Sequence, residues 1–423
     1  MKIQINRVMS LLILLITISY TGIFAGYHGC MALIGSVIIL FAAGLSDKFF
    51  HVNLKYCSPL WLVLFLYLCL NSLLNMPKSL FYIVLFSGGL LVMLRVMNAK
   101  EIICIISLFK AAAVILAVSV LMQAYVPAVF YFLADKWFFY SNQYEVLLHL
   151  GIECHQYSGL FYEVSFSALI LSLGCIICFV EMIYRKFGRI QNLMFIMAMY
   201  YAVILTGKRS FMLIVPVLLA AFWLFSGYRH ISLLRVTAVF GFVFILIWQS
   251  ANIFGIIENV LTKGQGNTIQ LSSREQYWKL ALDMFQQKRL LGNGLNSFDI
   301  AFNLTGIKEA VLDFAGAHNS YLQLLAETGI IGTVLYMSGI FVTIKTGVNE
   351  MFSCYKHQNK NKMIYNSIAV LALLLIMIYG ITGNVLYQPQ QVIMMFLFFN
   401  MILNLRMIND SDLNRKQKFK ITL

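Results

Sequence analysis

Long apolar runs recur along this chain, and they limit it more than any other feature does. Runs able to cross ~30 Å of hydrocarbon fall near residues 8–26, 29–46, 58–75, 79–96, 102–125, 164–184, 191–206, 210–227, 236–255, 329–346, 365–383 and 391–406. With 61% hydrophobic and 11% charged residues over 423 positions, the polar surface is too small to cover a soluble globule. The expected class is an all-α polytopic integral membrane protein. It should have about twelve transmembrane helices and a large outer loop containing short amphipathic helices.

Charge sets the expected orientation. With the N-terminus inside, 20 of the 31 Lys/Arg fall on cytoplasmic segments and 10 on outer ones, and Lys110 lies within a span. Acidic residues divide as 6 inside and 11 outside. The net charge of +14 is therefore a topology signal of the positive-inside kind, and it gives no reason to expect a nucleic-acid partner. The first run follows Lys2 and Arg7 as a signal sequence would. No clear small-x-small cleavage site follows, so it reads as an uncleaved span. The organisation expected is spans one to nine over 1–255 with an outer loop at 126–162, a large periplasmic loop at 256–328, spans ten to twelve over 329–406, and a basic cytoplasmic tail at 407–423.

The eight cysteines suggest neither disulfides nor metal. Cys175 and Cys178 form a C-x-x-C inside an apolar helix with no second pair to complete a zinc site. They read as packing thiols.

The two long outer loops are where a site can be built, because the other connections are short. The second loop has two helix-start signatures. Ser272 with Glu275 forms a capping box that predicts a helix over about 273–288, stopped by Gly292. This would put Arg274 in a first turn, where a guanidinium and a helix N-terminus suit a phosphate. Arg274, Trp278, Ala281 and Phe285 would share a face that packs against the membrane domain or lies on its surface. Ser320 with Gln323 is a second capping box. His318 lies two residues before it, where the positive helix end favours a neutral imidazole able to act as a base. Asn319 and Glu327 read as an interfacial amide and a solvated acid.

Other candidates lie nearer the spans. Lys208 and Arg209 occupy a very short outer turn, T206-G-K-R-S, where cations also snorkel. Glu163, in G159-L-F-Y-E-V-S at the start of the sixth span, needs a partner at the membrane boundary. Lys110, inside the fifth span, costs ~3 kcal/mol on insertion scales and is expected to pair within the bundle. The outer loops hold no D-x-D-like pair and no His/Cys cluster for a divalent ion.

The order of L205-T-G-K-R-S, R274-x-x-x-W, G292-x-G294 and H318-N-x-Y-L-x-x-L-x-E-x-G-x-x-G resembles the bacterial O-antigen polymerase and O-antigen ligase superfamily. The pattern runs from about Leu205 to Gly332. The upstream G159-L-F-Y-E-V-S is similar to the G-L-F-x-E-P-S element of the repeat-unit polymerases, with Val164 in place of the proline and no arginine shortly before Gly159.

The resemblance implies glycosyl transfer on the outer face of the bacterial inner membrane by an inverting, metal-independent enzyme without cofactors. The donor would be an undecaprenyl-diphosphate-linked oligosaccharide. The acceptor would be a second lipid-linked unit for a polymerase, or a lipid A core sugar for a ligase. Arg274 and Arg209 would bind the diphosphate with Lys208 as a further contact, His318 would be the base, and Glu163 a second base or acceptor contact. Membrane lipids are expected partners, and a chain-length regulator would fit such a system. A lipid-linked-oligosaccharide flippase and a non-catalytic scaffold or sensor are the competing classes. A flippase should show deep charges between helices and two related halves, whereas here only Lys110 is deep. With both termini inside, a cysteine placed at Asn267 should react with an impermeant reagent in intact cells, and labelling only after lysis would reverse the topology.

Overall fold

In a computed structural model of the chain, the described residues are 58–75, 80–138, 141–161, 163–185, 188–225, 267–304 and 316–413. The first, second and ninth expected spans lie outside them, as do loop residues 256–266 and 305–315 and the tail from 414.

The regular structure is helical, with no strand among the described residues. The helices are α1 (Leu60–Asn75), α2 (Leu80–Leu94), α3 (Ala99–Tyr125), α4 (Pro127–Leu133), α5 (Ser141–Leu148), α6 (Val164–Tyr184), α7 (Arg189–Leu205) and α8 (Arg209–Phe225). They continue with α9 (Asn267–Gln287), α10 (Ser297–Leu304), α11 (Ser320–Lys356), α12 (Lys360–Tyr379), α13 (Pro389–Leu405) and α14 (Asp410–Leu413). By length and composition α3, α6, α11 and α12 can cross a membrane, and α1, α2, α7, α8 and α13 are shorter apolar helices. Every expected span on described residues coincides with one of these helices. The molecule is a polytopic, all-helical membrane protein.

Helices α6, α12 and α13 are buried along most of their length. Around them Trp61 gathers the rings of Phe86, Tyr336, Phe396 and Phe399 at centroid distances of 5.0 to 6.3 Å. Cys175 and Cys178 are buried in α6 as packing residues.

Several charged groups within the bundle are paired, as a low-dielectric interior requires. Lys110 meets Glu181 at 2.6 Å and Asn192 at 2.7 Å, and Glu181 also takes Arg185 at 2.8 Å. Arg95 pairs with Glu101 at 2.9 Å, and Glu101 in turn completes the capping box of Asn98 that starts α3. The amides of Asn400 and Asn404 reach down from α13 to the Arg95 carbonyl. These groups gather at one end of the bundle, together with the C-terminal end of α11 and the N-terminal end of α12, where Lys362 meets Glu350 at 2.7 Å. Glu163, Lys208, Tyr379 and Ser320 stand at the opposite ends of their helices.

Two helix starts differ from expectation. Helix α9 begins at Asn267, not near Ser273, so Arg274 lies two turns in and lacks the helix-end field. Helix α11 is capped by Asn319, whose side chain accepts from the backbone N–H of Tyr321 at 3.0 Å and of Leu322 at 3.1 Å. Ser320 is instead turned across the bundle to the Gly383 carbonyl at 2.7 Å. In both places a Ser-x-x-Glu/Gln pattern fits a helix interior as well as a cap.

Helix α11 is broken at Gly329, where the backbone leaves helical geometry (φ 63, ψ −169). The amides freed by the break are taken by the end of α9: Ile330 N–H donates to the Arg289 carbonyl at 2.9 Å and Ile331 N–H to Leu290 at 3.3 Å. In return, Asn293 N–H donates to the Ala326 carbonyl at 3.1 Å and Gly294 N–H to Glu327 at 2.8 Å. Gly292 (φ 74) and Gly329 face each other so closely that a Cβ on either would strike the other strand's backbone. Gly329→Ala therefore combines a clash with a conformation that is nearly glycine-only, costing about 1–3 kcal/mol in strain alone. The thermal midpoint of the detergent-purified protein should fall clearly. Gly188→Ala, also at positive φ (77) but facing open space, should lower it less.

Candidate active site

The buried stripe of α9 is Tyr277, Ala281 and Met284, which packs on Phe298, Phe302, Ala317 and Ala326. Trp278, expected on a face that packs against the membrane domain or lies on its surface, is 38% exposed. Arg274 precedes Tyr277 by three residues on the same stripe, where packing ends and the side chain is exposed. The Tyr277 ring lies 5.8 Å from the His318 imidazole and 5.1 Å from Phe302. One helix face thus brings Arg274 and His318 to the same edge.

His318 sits immediately before the Asn319 cap with a left-handed backbone (φ 49). Its loop is pinned to the turn after α12: Ser320 N–H donates to the carbonyls of Gly380 (2.9 Å) and Gly383 (3.1 Å). That turn also holds the cationic turn, since the hydroxyls of Thr382 and Ser210 are 2.8 Å apart and the rings of Tyr379 and Phe211 are 4.3 Å apart.

In the cationic turn, Gly207 (φ 70) lies against the side chain of Gln156, and Tyr157 N–H donates to the Leu205 carbonyl at 3.1 Å. The loop that precedes Glu163 is thereby fastened to Lys208 and Arg209. The same loop carries Gly159, whose N–H donates to Gln123 at 2.8 Å, and it leads into Glu163 at the start of α6. The Glu163 carboxylate accepts from the Gln388 amide at 3.4 Å.

Electrostatics join these pieces. Burial pulls the Lys208 ammonium below its ordinary range, the charge of Glu163 opposes the fall and that of Arg274 adds to it. Arg274 also acts on Arg209. Lys208, Arg209, Arg274 and Glu163 are therefore one interacting set. An anion bound among the cations would reverse part of the Lys208 shift. Among the described residues, no group of three or more His, Cys, Asp or Glu is placed to hold a metal ion.

Several members of this neighbourhood were not legible as site residues. Tyr379, Thr382 and Gln388 come from a connection that looked too short to contribute, and their signal was the polar T382-G-N-V-L-Y-Q between two apolar runs. Glu327, expected to be solvated, is fully buried.

Residues 193–337 match the family model described as O-antigen ligase, a stretch that carries the cationic turn, α9 and His318. The match supports the O-antigen polymerase and ligase superfamily and does not separate its two branches. No curated protein matches the chain. If Arg274 grips a phosphate through its two-donor fork, Arg274→Lys should lose most activity at normal abundance, because an ammonium cannot make the bidentate contact. Full activity in that variant would make Arg274 structural, and Arg209→Lys should move in the same direction.

Proposed function

We propose that the chain polymerises undecaprenyl-diphosphate-linked oligosaccharide repeat units into O-antigen or a related surface polysaccharide on the outer face of the bacterial inner membrane. The observation that carries this reading is the convergence of Lys208, Arg209, Arg274 and Glu163 on the end of the bundle where the His318 loop is pinned. Three cations against one carboxylate suit a diphosphate ester at a membrane boundary.

In this reading Arg274 and Arg209 bind the donor diphosphate, with Lys208 as a further contact. The acceptor hydroxyl attacks the anomeric carbon from the face opposite the diphosphate and inverts that centre. His318 takes the hydroxyl proton as the new C–O bond forms. The bond from the anomeric carbon to the phosphate oxygen breaks, and the cations stabilise the undecaprenyl diphosphate that leaves. Glu163, held by Gln388, contacts the acceptor sugar or serves as a second base. No step calls for a metal or a cofactor.

The polymerase branch is favoured by G159-L-F-Y-E-V-S, whose Glu163 interacts with Lys208. A second reading, ligation of finished polymer to lipid A core, has the description of the matched family model on its side. Lipopolysaccharide from cells lacking the protein separates the two. Core bearing a single repeat unit means polymerase, and bare core with accumulating lipid-linked polymer means ligase. An unchanged ladder moves the substrate to a capsule or exopolysaccharide.

His318→Ala should leave abundance normal, because Asn319 still caps α11. Donor binding should persist while turnover falls ~10²-fold or more, the usual share of a general base. His318→Gln keeps a hydrogen bond but no basic nitrogen and should be nearly as inactive. A working His318→Gln protein would move the base to Glu163.

A further inference from the structure

Behind the His318 loop lies a buried polar pair that the proposed chemistry does not use. Gln323 and Glu327 are both 0% exposed and stand one turn apart on α11. The backbone N–H of Ala317, the residue before His318, donates to Gln323 Oε1 at 3.1 Å. Because an N–H can only donate, this contact fixes the amide orientation and turns the Gln323 NH2 toward Glu327 Oε1, at 3.2 Å. The carboxylate also accepts Phe298 N–H at 3.2 Å on Oε1 and Asn296 N–H at 3.0 Å on Oε2.

The two ends of this chain share an unusual backbone. His318 and Asn296 both adopt positive φ, 49 and 65, a region that few non-glycine residues occupy without support. Glu327 binds the N–H of Asn296 itself, and Gln323 binds the N–H next to His318. At these three contacts the carboxylate accepts from N–H donors, and burial gives each lost bond its full desolvation cost.

We propose that Gln323 and Glu327 are positioning residues for His318: by holding the Ala317 amide they set the backbone from which the imidazole is aimed at the acceptor hydroxyl. The inference rests on the reading of His318 as the base. The phenols of Tyr82 on α2 and of Tyr387 in the turn before α13 face Glu327, and Asp299 on α10 acts on Tyr82.

The test is Gln323→Glu in purified, reconstituted protein. Proteoliposomes carry the lipid extract of cells lacking the protein, and undecaprenyl diphosphate serves as the binding probe. Glutamate keeps the acceptor for Ala317, but it can donate to Glu327 only while the two carboxyls share a proton, so the hydrogen-bond chain survives in acid and breaks in alkali. Wild-type turnover falls in acid, where a general base is protonated, and its profile is the reference for the alkaline side. The variant should also fall on the alkaline side, by up to ~10²-fold for a misplaced base, with undecaprenyl diphosphate binding unchanged at both ends.

A wild-type pH profile in Gln323→Glu overturns the proposal, and so does a loss of undecaprenyl diphosphate binding in proportion to turnover, since that would make the pair a scaffold for the whole site. If the variant does not accumulate, Gln323→Met keeps the length without the hydrogen bonds. It should lower kcat at every pH with binding intact, and wild-type kcat in it overturns the proposal equally. Activity in His318→Ala would instead remove the general-base reading, a result distinguishable from failure of the positioning pair alone.

Discussion

The fold depends at one point on two backbones meeting without side chains between them. Gly292 lies in the turn that follows the surface helix α9 and Gly329 breaks the membrane helix α11, and the carbonyls of one segment satisfy the amides of the other. A helix broken in or near hydrocarbon leaves polar groups that must find partners. Here those partners come from the turn after α9, so the break and the docking of α9 are one event. Tyr67 and Asn71 of α1 close the junction, the tyrosine hydroxyl donating to the Thr328 carbonyl at 2.6 Å and the amide to Leu291 at 2.6 Å. From this anchor the stripe of α9 runs back toward the His318 loop and carries Arg274 to the rim.

The two ends of the bundle use charge differently. At one, Arg95 with Glu101, Lys110 and Arg185 with Glu181, and Lys362 with Glu350 are matched pairs and triads. Breaking a buried pair of this kind leaves an uncompensated charge, so these groups hold structure. At the other end Arg274 acts on both Lys208 and Arg209, and Glu163 acts on Lys208. Like charges held together raise the energy of this arrangement, and an anion bound among them would lower it. This separates a lysine such as Lys110, which solves a local problem, from one such as Lys208, placed beside an arginine.

The spans and the ordered motif were legible because each rests on local rules. Apolar run length marks the helices, and α6 begins and ends at the residues the hydropathy indicated, Val164 and Tyr184. Gly292 was legible as a glycine the turn requires at positive φ, although α9 ends earlier, at Gln287. The helix starts were not, since a serine three residues before Glu or Gln is equally at home inside a helix, and only tertiary partners such as Gly383 for Ser320 decide the matter. Glu327 looked solvated because its partners are backbone amides at Asn296 and Phe298, about thirty residues away, and backbone donors leave no mark in a sequence. The role of Tyr277 was hidden for a related reason. Which of two neighbouring faces of α9 packs inward depends on α10 and α11.

A site assembled in this way separates binding from chemistry along its own architecture. The cations stand on α9 and at the turn before α8, so they answer to the docking of those elements. The imidazole stands on a loop held from behind by α11 and α12, in a backbone conformation that an isolated chain would rarely choose. Its geometry is therefore set by buried hydrogen bonds and not by local preference. Changes that loosen those bonds should alter how the histidine is presented before they alter how the anion is gripped. Under the proposed function, with lipid-tethered substrates held through a diphosphate, this division would have a consequence. The donor would be retained by the cations through successive acceptor encounters, while each transfer would depend on a loop pinned by hydrogen bonds to the interior of the bundle.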